Sequence, residues 1–583
     1  MVEKILELPM NYNTFDNSHS PFGSSWGILG DPEFPGIRML ALHYNRATRA
    51  VWNPFIRMPG KVRHFEGRFE GIRAETESAE GELCFYDTDA FLFFCRSEKA
   101  VEFFCAPDSV TTEYWTAKKE RDILIFQGYS RNGDGRDPDR QVPFLNGMRA
   151  LKGNLQQEEG RCLVEPDRQG EIAVAVAAMA LEISEETILE RLKNAPGNGE
   201  QARERLAKWV RDCTGEKLKA PGDGRGQQIF LRAVSSLLFN LTIAPGYLGG
   251  HVSAFPNRGG YPTHFLWDSA FQNLAYEQMN PAIAKDSILQ LAENIRPDGK
   301  IPQFVCSTWV RPMDSQPALT GWMAMRYFEE ADGEDREFME TVFRALEKNN
   351  AWWLSQRMTR FGLLSCGDGL ETGQDDSPRF DRGAILALDM NSYLVNQMRC
   401  TARLGRRLGE EEKAKNWDTR ADELAALMVR YLYDPEQNLF FDADADTGER
   451  QSLVTPVAFL PLWCGVPLEE ERCRRMIADW LLDPEKFFGE IPFPSVAYDQ
   501  SCYNPHQWWR GPVWMPEAWL ILETLKKYGF DAARLEAMRR LYDVMIEDGQ
   551  LHELFDSRTG EGMGNVQQGW TAAVFLRMQQ EMG

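Results

Sequence analysis

From residue 1 to about 182 the apolar positions fall into short runs, such as Ala90–Cys95 (AFLFFC), Ala100–Cys105 (AVEFFC) and Asp122–Gln127 (DILIFQ), separated by Gly, Pro, Asn and Asp. Short β-rich runs between turn formers predict an antiparallel β-sandwich. Between Ser184 and Lys219 the period changes. SEETILERLKNA and GEQARERLAKWVRDC carry apolar residues at helical spacing within dense charge, with a break at Pro196. A helical linker is expected over 183–226, ending in the flexible stretch Pro221–Gly226 (PGDGRG).

Beyond residue 226 the apolar period is helical at about 227–243, 268–279, 281–294, 316–330, 335–355, 384–407, 410–432, 468–482, 512–528, 530–547 and 567–581. Eleven candidate helices fall one short of the twelve that six concentric hairpins need. Their lengths, mostly about 12 to 22 residues, suit the inner and outer layers of one closed toroid. No repeat of fixed period accompanies them, which disfavours a solenoid. The chain is therefore predicted to be mainly α, with a β-sandwich over 1–182, the linker over 183–226 and a helical domain over 227–583.

Composition narrows what such a scaffold does. Of 583 residues, 43% are hydrophobic and 26% charged, so a packed core is expected over several domains. The net charge is −22, from 65 basic and 87 acidic residues, which disfavours nucleic acid and anionic membrane as partners. Eleven cysteines without CxxC pairs suggest neither a disulfide framework nor a zinc site. The first residues, MVEKILELPMNYNTF, lack the basic and apolar regions of a signal peptide, and no 18-residue apolar stretch occurs. A cytoplasmic location is expected.

The loops at 251–267, 361–383 and 489–511 are rich in Trp, Tyr, Asp, Glu and Arg. Aromatic faces stack on pyranose rings, so a small carbohydrate is the ligand class to expect. Cleaving a glycoside near neutrality needs one protonated carboxyl and one carboxylate. The turn-rich segment Gly369–Asp381 (GLETGQDDSPRFD) gathers Glu371, Asp375, Asp376 and Asp381, and crowded like charges raise a carboxyl pKa. Glu553, in LHELFDSRTGEG, is a second acidic candidate between a helix and a Gly-rich turn.

Several segments together resemble the family 63 glycosidases and the related family 37 trehalases, which share an inverting mechanism and an (α/α)6 barrel. The resemblance spans roughly residues 227 to 583. In those enzymes the general acid is the Asp of a motif like E-S-G-W-D-x-S-P-R. Glu371-Thr372-Gly373-Gln374-Asp375-Asp376-Ser377-Pro378-Arg379 is similar, with Thr for Ser and Gln374 for Trp, so the resemblance implies that Asp375 is the acid. Glu553-Leu554-Phe555-Asp556-Ser557-Arg558-Thr559-Gly560 resembles the segment of the general base, which implies that role for Glu553. For inversion the two carboxyls should stand roughly 6.5–9.5 Å apart.

Phe265-Leu266-Trp267-Asp268-Ser269 and Trp508-Trp509-Arg510-Gly511-Pro512 are also similar to family segments. By the resemblance Trp267, Asp268, Trp509 and Arg510 line the pocket of the terminal sugar. Structurally, Asp268 could instead be only the N-cap of a helix Ser269–Met279. Gln303 and Gln316 face either the sugar or turns that enter helices. Glu371 belongs to the same substrate-binding set. Arg379 either orients the acid loop through a carboxylate or binds an anionic aglycone.

The expected activity is thus exo-hydrolysis of a terminal α-linked sugar with inversion and without a cofactor. Glucose is favoured by the resemblance, with mannose or a glycerate-linked sugar as alternatives. A sugar phosphorylase on the same barrel, and a carbohydrate-binding protein without turnover, are the competing classes. Asp442–Glu449 (DADADTGE) has the look of a calcium loop but lacks its Gly and its final Glu, so a hairpin turn is expected. The seven histidines show no metal spacing, and no metal site is predicted.

Overall fold

The computed structural model describes residues 1–10, 26–31, 36–41, 55–104, 112–120, 122–131, 141–158, 161–180, 184–222, 224–243, 246–258, 260–261, 263–306, 314–330 and 335–582. It divides into two compact units. One comprises Met1–Ala220, Val234–His264 and Cys306–Trp309, the other Pro221–Ala233, Phe265–Val305 and Val310–Gly583.

The first unit holds two antiparallel sheets. In an eight-stranded sheet the spatial order is Val62–Arg68, Gly71–Thr76, Ala79–Asp87, Ala90–Ser97, Glu171–Ala180, Gln141–Lys152, Ile123–Arg131 and Thr112–Glu120. A six-stranded sheet includes Val101–Phe104, and the rings of Phe93 and Phe103 meet edge to face, 5.8 Å apart. The Ala90–Cys95 run is apolar throughout because both faces of its strand are covered. Ala90 and Leu92 lie in one cluster with Ile188, Leu192 and Ala202 of the helices Glu185–Lys193 and Gly199–Thr214, while Phe93 meets Phe103. The segment read as a linker therefore packs on the sheet through its apolar stripe. Of the run Ala100–Cys105, Cys105 lies outside the described residues.

In the second unit six helices form a ring: Leu266–Met279, Thr320–Glu330, Leu388–Leu408, Leu460–Cys464, Met515–Lys527 and Gly569–Met582 each pack on the next, and the last returns onto the first. All residues of Leu266–Met279 are buried, as suits a helix walled in on every side. Pro281–Glu293, Arg336–Gln356, Glu411–Leu432 and Asp531–Asp548 pack against this ring. They bury only a stripe, for example Ala414, Trp417, Ala421, Leu424, Ala425, Met428 and Leu432.

The ring member absent from the sequence reading is Leu460–Cys464. It follows a 3-10 turn, Pro456–Phe459, contains Pro461 and ends at Gly465 (φ 84°), so it is too short to show a period. The segment expected at 468–482 is the helix Glu470–Met476 running into a π-turn, Ile477–Leu481. Residues 227–243 end earlier than their pattern, since Leu241–Ile243 is a strand. Among the described residues no helix is long and apolar enough to cross a membrane.

Candidate active site

Three ring helices carry an acid in their first turn: Asp268, Asp389 and Glu517. Carboxylates are stabilised there by the exposed N–H groups of the helix end. Asp268 lies inside the helix Leu266–Met279, whose N-cap is Phe265, so the capping role considered for it does not hold. It is buried, and burial first, then the charges of Glu553 and Asp375, push its pKa well above the ordinary carboxylate range. The two acids named from sequence thus converge on Asp268. Burial thus favours the protonated form of Asp268, in which the carboxyl is a donor as well as an acceptor for hydroxyl groups.

Glu553 precedes a two-residue hairpin pairing, Leu554 with Met563 and Phe555 with Gly562. Asp556 turns the chain by accepting from the backbone of Arg558 (2.7 Å) and Thr559 (2.9 Å). The Glu553 side chain is buried, and its Oε2 accepts from the Asn565 amide N–H (3.1 Å) and side-chain Nδ2 (2.8 Å). The indole of Trp570 donates to the Glu553 carbonyl at 3.0 Å. Gly564 has a φ of 75°, and a Cβ there would stand 2.7 Å from Glu553 Oε2. Gly564→Ala is therefore expected to displace the carboxylate and to lower kcat by about tenfold or more, as a misplacement of 1 Å does. Steady-state kinetics check this, and unchanged kcat would remove Gly564 from the site's support.

Asp375 is exposed, on a loop that is anchored on several sides. Gly373 (φ 79°) lies against the Trp267 ring, where a Cβ would meet it at 3.4 Å. Trp509 donates its backbone N–H to Asp376 at 2.7 Å, and Arg510 holds Asp381 with two bonds, 2.8 and 2.5 Å. All five N–H groups of Arg379 are engaged: Nε and Nη2 on Asp442 (2.7 and 3.0 Å), Nη1 and Nη2 on Asp389 (2.7 and 2.8 Å), and Nη1 on the Gln374 Oε1 (2.9 Å). Burial opposes the guanidinium charge, but Asp389 and Asp442 outweigh it and raise its pKa.

The structure therefore brings Trp267, Asp268, Asp375 and Glu553 together and gives most of the other expected residues partners within the protein. All donors of Arg379 are engaged on carboxylates and on Gln374, the neighbour of Asp375. Glu371 pairs with Arg357 at 2.5 Å. Trp509 stacks on Trp514, 3.9 Å between centroids and 4° between planes, and is buried. Gln316 accepts from the Trp267 backbone at 2.9 Å, whereas the buried Oε1 of Gln303 has no bond among the described residues. Asp442 serves Arg379, and the following residues close a turn in which Asp444 accepts from Thr447 at 2.7 Å.

Sequence reasoning missed Glu517, Asn565, Trp570 and Tyr393. The Tyr393 ring lies edge-on to Trp267, 6.0 Å away. Glu517 was discoverable as an acid placed, like Asp268, three residues into a buried helix; the others carry no local signal.

The family described as the mannosylglycerate hydrolase MGH1-like glycoside hydrolase domain matches residues 261–571, just over half of the chain. The chain is thus a glycoside hydrolase, an enzyme that breaks O-glycosyl bonds. It belongs to the MGH1-like family, within family 63 and related to the family 37 trehalases. The mannosylglycerate hydrolase of Thermus thermophilus is 25% identical over 405 residues, 55% of this chain and 95% of the relative. The glucosylglycerate hydrolase of Mycolicibacterium hassiacum is 34% identical over 178 residues, 29% of this chain and 39% of the relative. A crystal structure of the family 63 mannosylglycerate hydrolase from Thermus thermophilus superposes with a TM-score of 0.54 at 22% identity, covering 60% of this chain and all of that one.

Proposed function

We propose that the chain hydrolyses a sugar α-linked to glycerate, with inversion at the anomeric carbon. The observation that carries the reading is the convergence of Asp375 and Glu553 on Asp268 at the ends of the ring helices. The names of the relatives, mannosylglycerate and glucosylglycerate hydrolase, supply the substrate class. In this reading the ring is the inner wall of an (α/α)6 barrel over 227–583, and the two N-terminal sheets form a β-sandwich over 1–182, followed by the helical segment 183–226.

Asp375 gives its proton to the glycosidic oxygen as the bond from C1 to that oxygen breaks. Glu553 takes a proton from a water that attacks C1 from the opposite face, and Glu553 is then protonated while Asp375 is ionised. Asp268 adds hydroxyl bonds to the sugar. Trp267 presents its ring edge and an indole N–H that has no bond among the described residues. No cofactor takes part in these steps.

Proton NMR of the first product formed from mannosylglycerate and from glucosylglycerate tests the proposal. Release of a β-sugar from the α-glycoside is expected for at least one of them, ahead of mutarotation. Release of the α-anomer would overturn the inverting assignment, and absence of turnover on both would overturn the substrate class.

A further inference from the structure

Gln374 stands where the related acid motif carries Trp, and its side chain joins two parts of the protein. Its Oε1 accepts from Arg379 at 2.9 Å, and its Nε2 donates to Glu517 Oε1 at 3.0 Å. Both Gln374 and Glu517 are buried, at 5% and 4% exposure, whereas Asp375 between Gln374 and Asp376 is exposed. The chain neighbours on both sides of Asp375 are tied: Gln374 to the helix Met515–Lys527 through Glu517, Asp376 to the Trp509 N–H.

We propose that Glu517, acting through Gln374, is a positioning residue for the general acid Asp375; this rests on the acid role proposed above. The loop geometry supports it. Gln374 also donates its backbone N–H to Gly369 at 3.0 Å and accepts from Ser377 at 3.0 Å, so a displaced Gln374 moves both halves of the loop around Asp375. Glu517 sits in the first turn of a buried ring helix, a rigid base for such a tie.

The chemistry of the tie is that of a neutral carboxyl. Burial first, with Asp389 adding to it against Arg379 and the Gln374 bond, pushes Glu517 up to about 8. Arg379, Asp389, Gln374 and the Tyr393 ring are the groups around it. Protonated near neutrality, Glu517 accepts from the Gln374 amide without setting a second negative charge beside the acid loop. Glutamine is the isosteric stand-in for that state.

A leaving-group comparison tests this. A glycosyl fluoride needs little protonation to depart, whereas a glyceryl glycoside depends on the acid. Glu517→Ala is expected to lower kcat on the glyceryl glycoside by about 10- to 100-fold, within the worth of a general acid, and to leave turnover of the α-fluoride of the same sugar within about threefold, with Glu517→Gln restoring most of the loss. The ratio of the two activities in one sample does not depend on how much of the variant is folded. Equal losses on both substrates, or no loss on either, would overturn the positioning role. Asp375→Asn is measured alongside: if it spares the fluoride and Glu517→Ala does not, the positioning proposal alone fails. If Asp375→Asn shows no leaving-group dependence, the acid assignment fails and the proposal with it.

Discussion

Glu553→Gln is expected to lower kcat on the glyceryl glycoside by about 10²- to 10⁴-fold, the usual worth of a positioned base, with a far smaller change in KM. The side chain keeps its volume, and the amide oxygen of the glutamine can still accept from Asn565, whose two N–H groups hold Glu553 Oε2 at 3.1 and 2.8 Å. What is lost is the ability to take a proton from water. Azide needs no such help, so it is expected to restore turnover of the α-fluoride by this variant and to leave a β-glycosyl azide. The same azide is expected to do nothing for Asp375→Asn, because there the departure of the aglycone is impaired and not the attack. An active Glu553→Gln enzyme, or an α-configured azide, would show that Glu553 is not the base of an inverting reaction.

The second large effect is expected at Arg379. Its guanidinium bridges Asp389 of one ring helix, Asp442 of the turn that follows another helix, and Gln374 of the acid loop. All of it is buried, and removal of the cation leaves two carboxylates without their partner. Arg379→Met is expected to destabilise the helical unit by about 3–5 kcal/mol, the size found when one member of a buried ion pair is removed. Arg379→Lys is expected to recover only a small part, since three donors on a point charge cannot reproduce a five-donor planar fork. Denaturant unfolding followed by tryptophan fluorescence checks both. A lysine variant as stable as the parent would mean that the geometry of the fork matters little.

Much of this arrangement could be read before any coordinates, and what could not has physical causes. Long ring helices announce themselves by period, whereas the loop around Asp375 and the Glu553 turn stood out through their resemblance to family 63 segments, since acidic residues in turns carry little signal by themselves. Leu460–Cys464 was invisible because five residues between prolines and a glycine cannot display a helical repeat. The assignments of Arg379, Arg510 and Glu371 turned on the identity of their partners. Arg379 meets Asp442 63 positions away, and Arg510 meets Asp381 129 positions away. Sequence spacing carries no information about such pairs, so the choice between a carboxylate and a ligand as the partner of Arg379 stayed open until its neighbours were seen.

Gln374 also bears on how this sequence can drift. A tryptophan at that position would bring bulk and one donor in place of a donor and an acceptor, leaving Glu517 and one Arg379 N–H without their shared partner. Positions 374, 379 and 517 are therefore tied as one inherited unit: members of the lineage that carry Trp in the acid motif are expected to have an apolar or small residue where this chain has Glu517. Grafting Gln374 alone onto such a relative would weaken it, whereas moving Gln374 with Glu517 would carry the whole arrangement across.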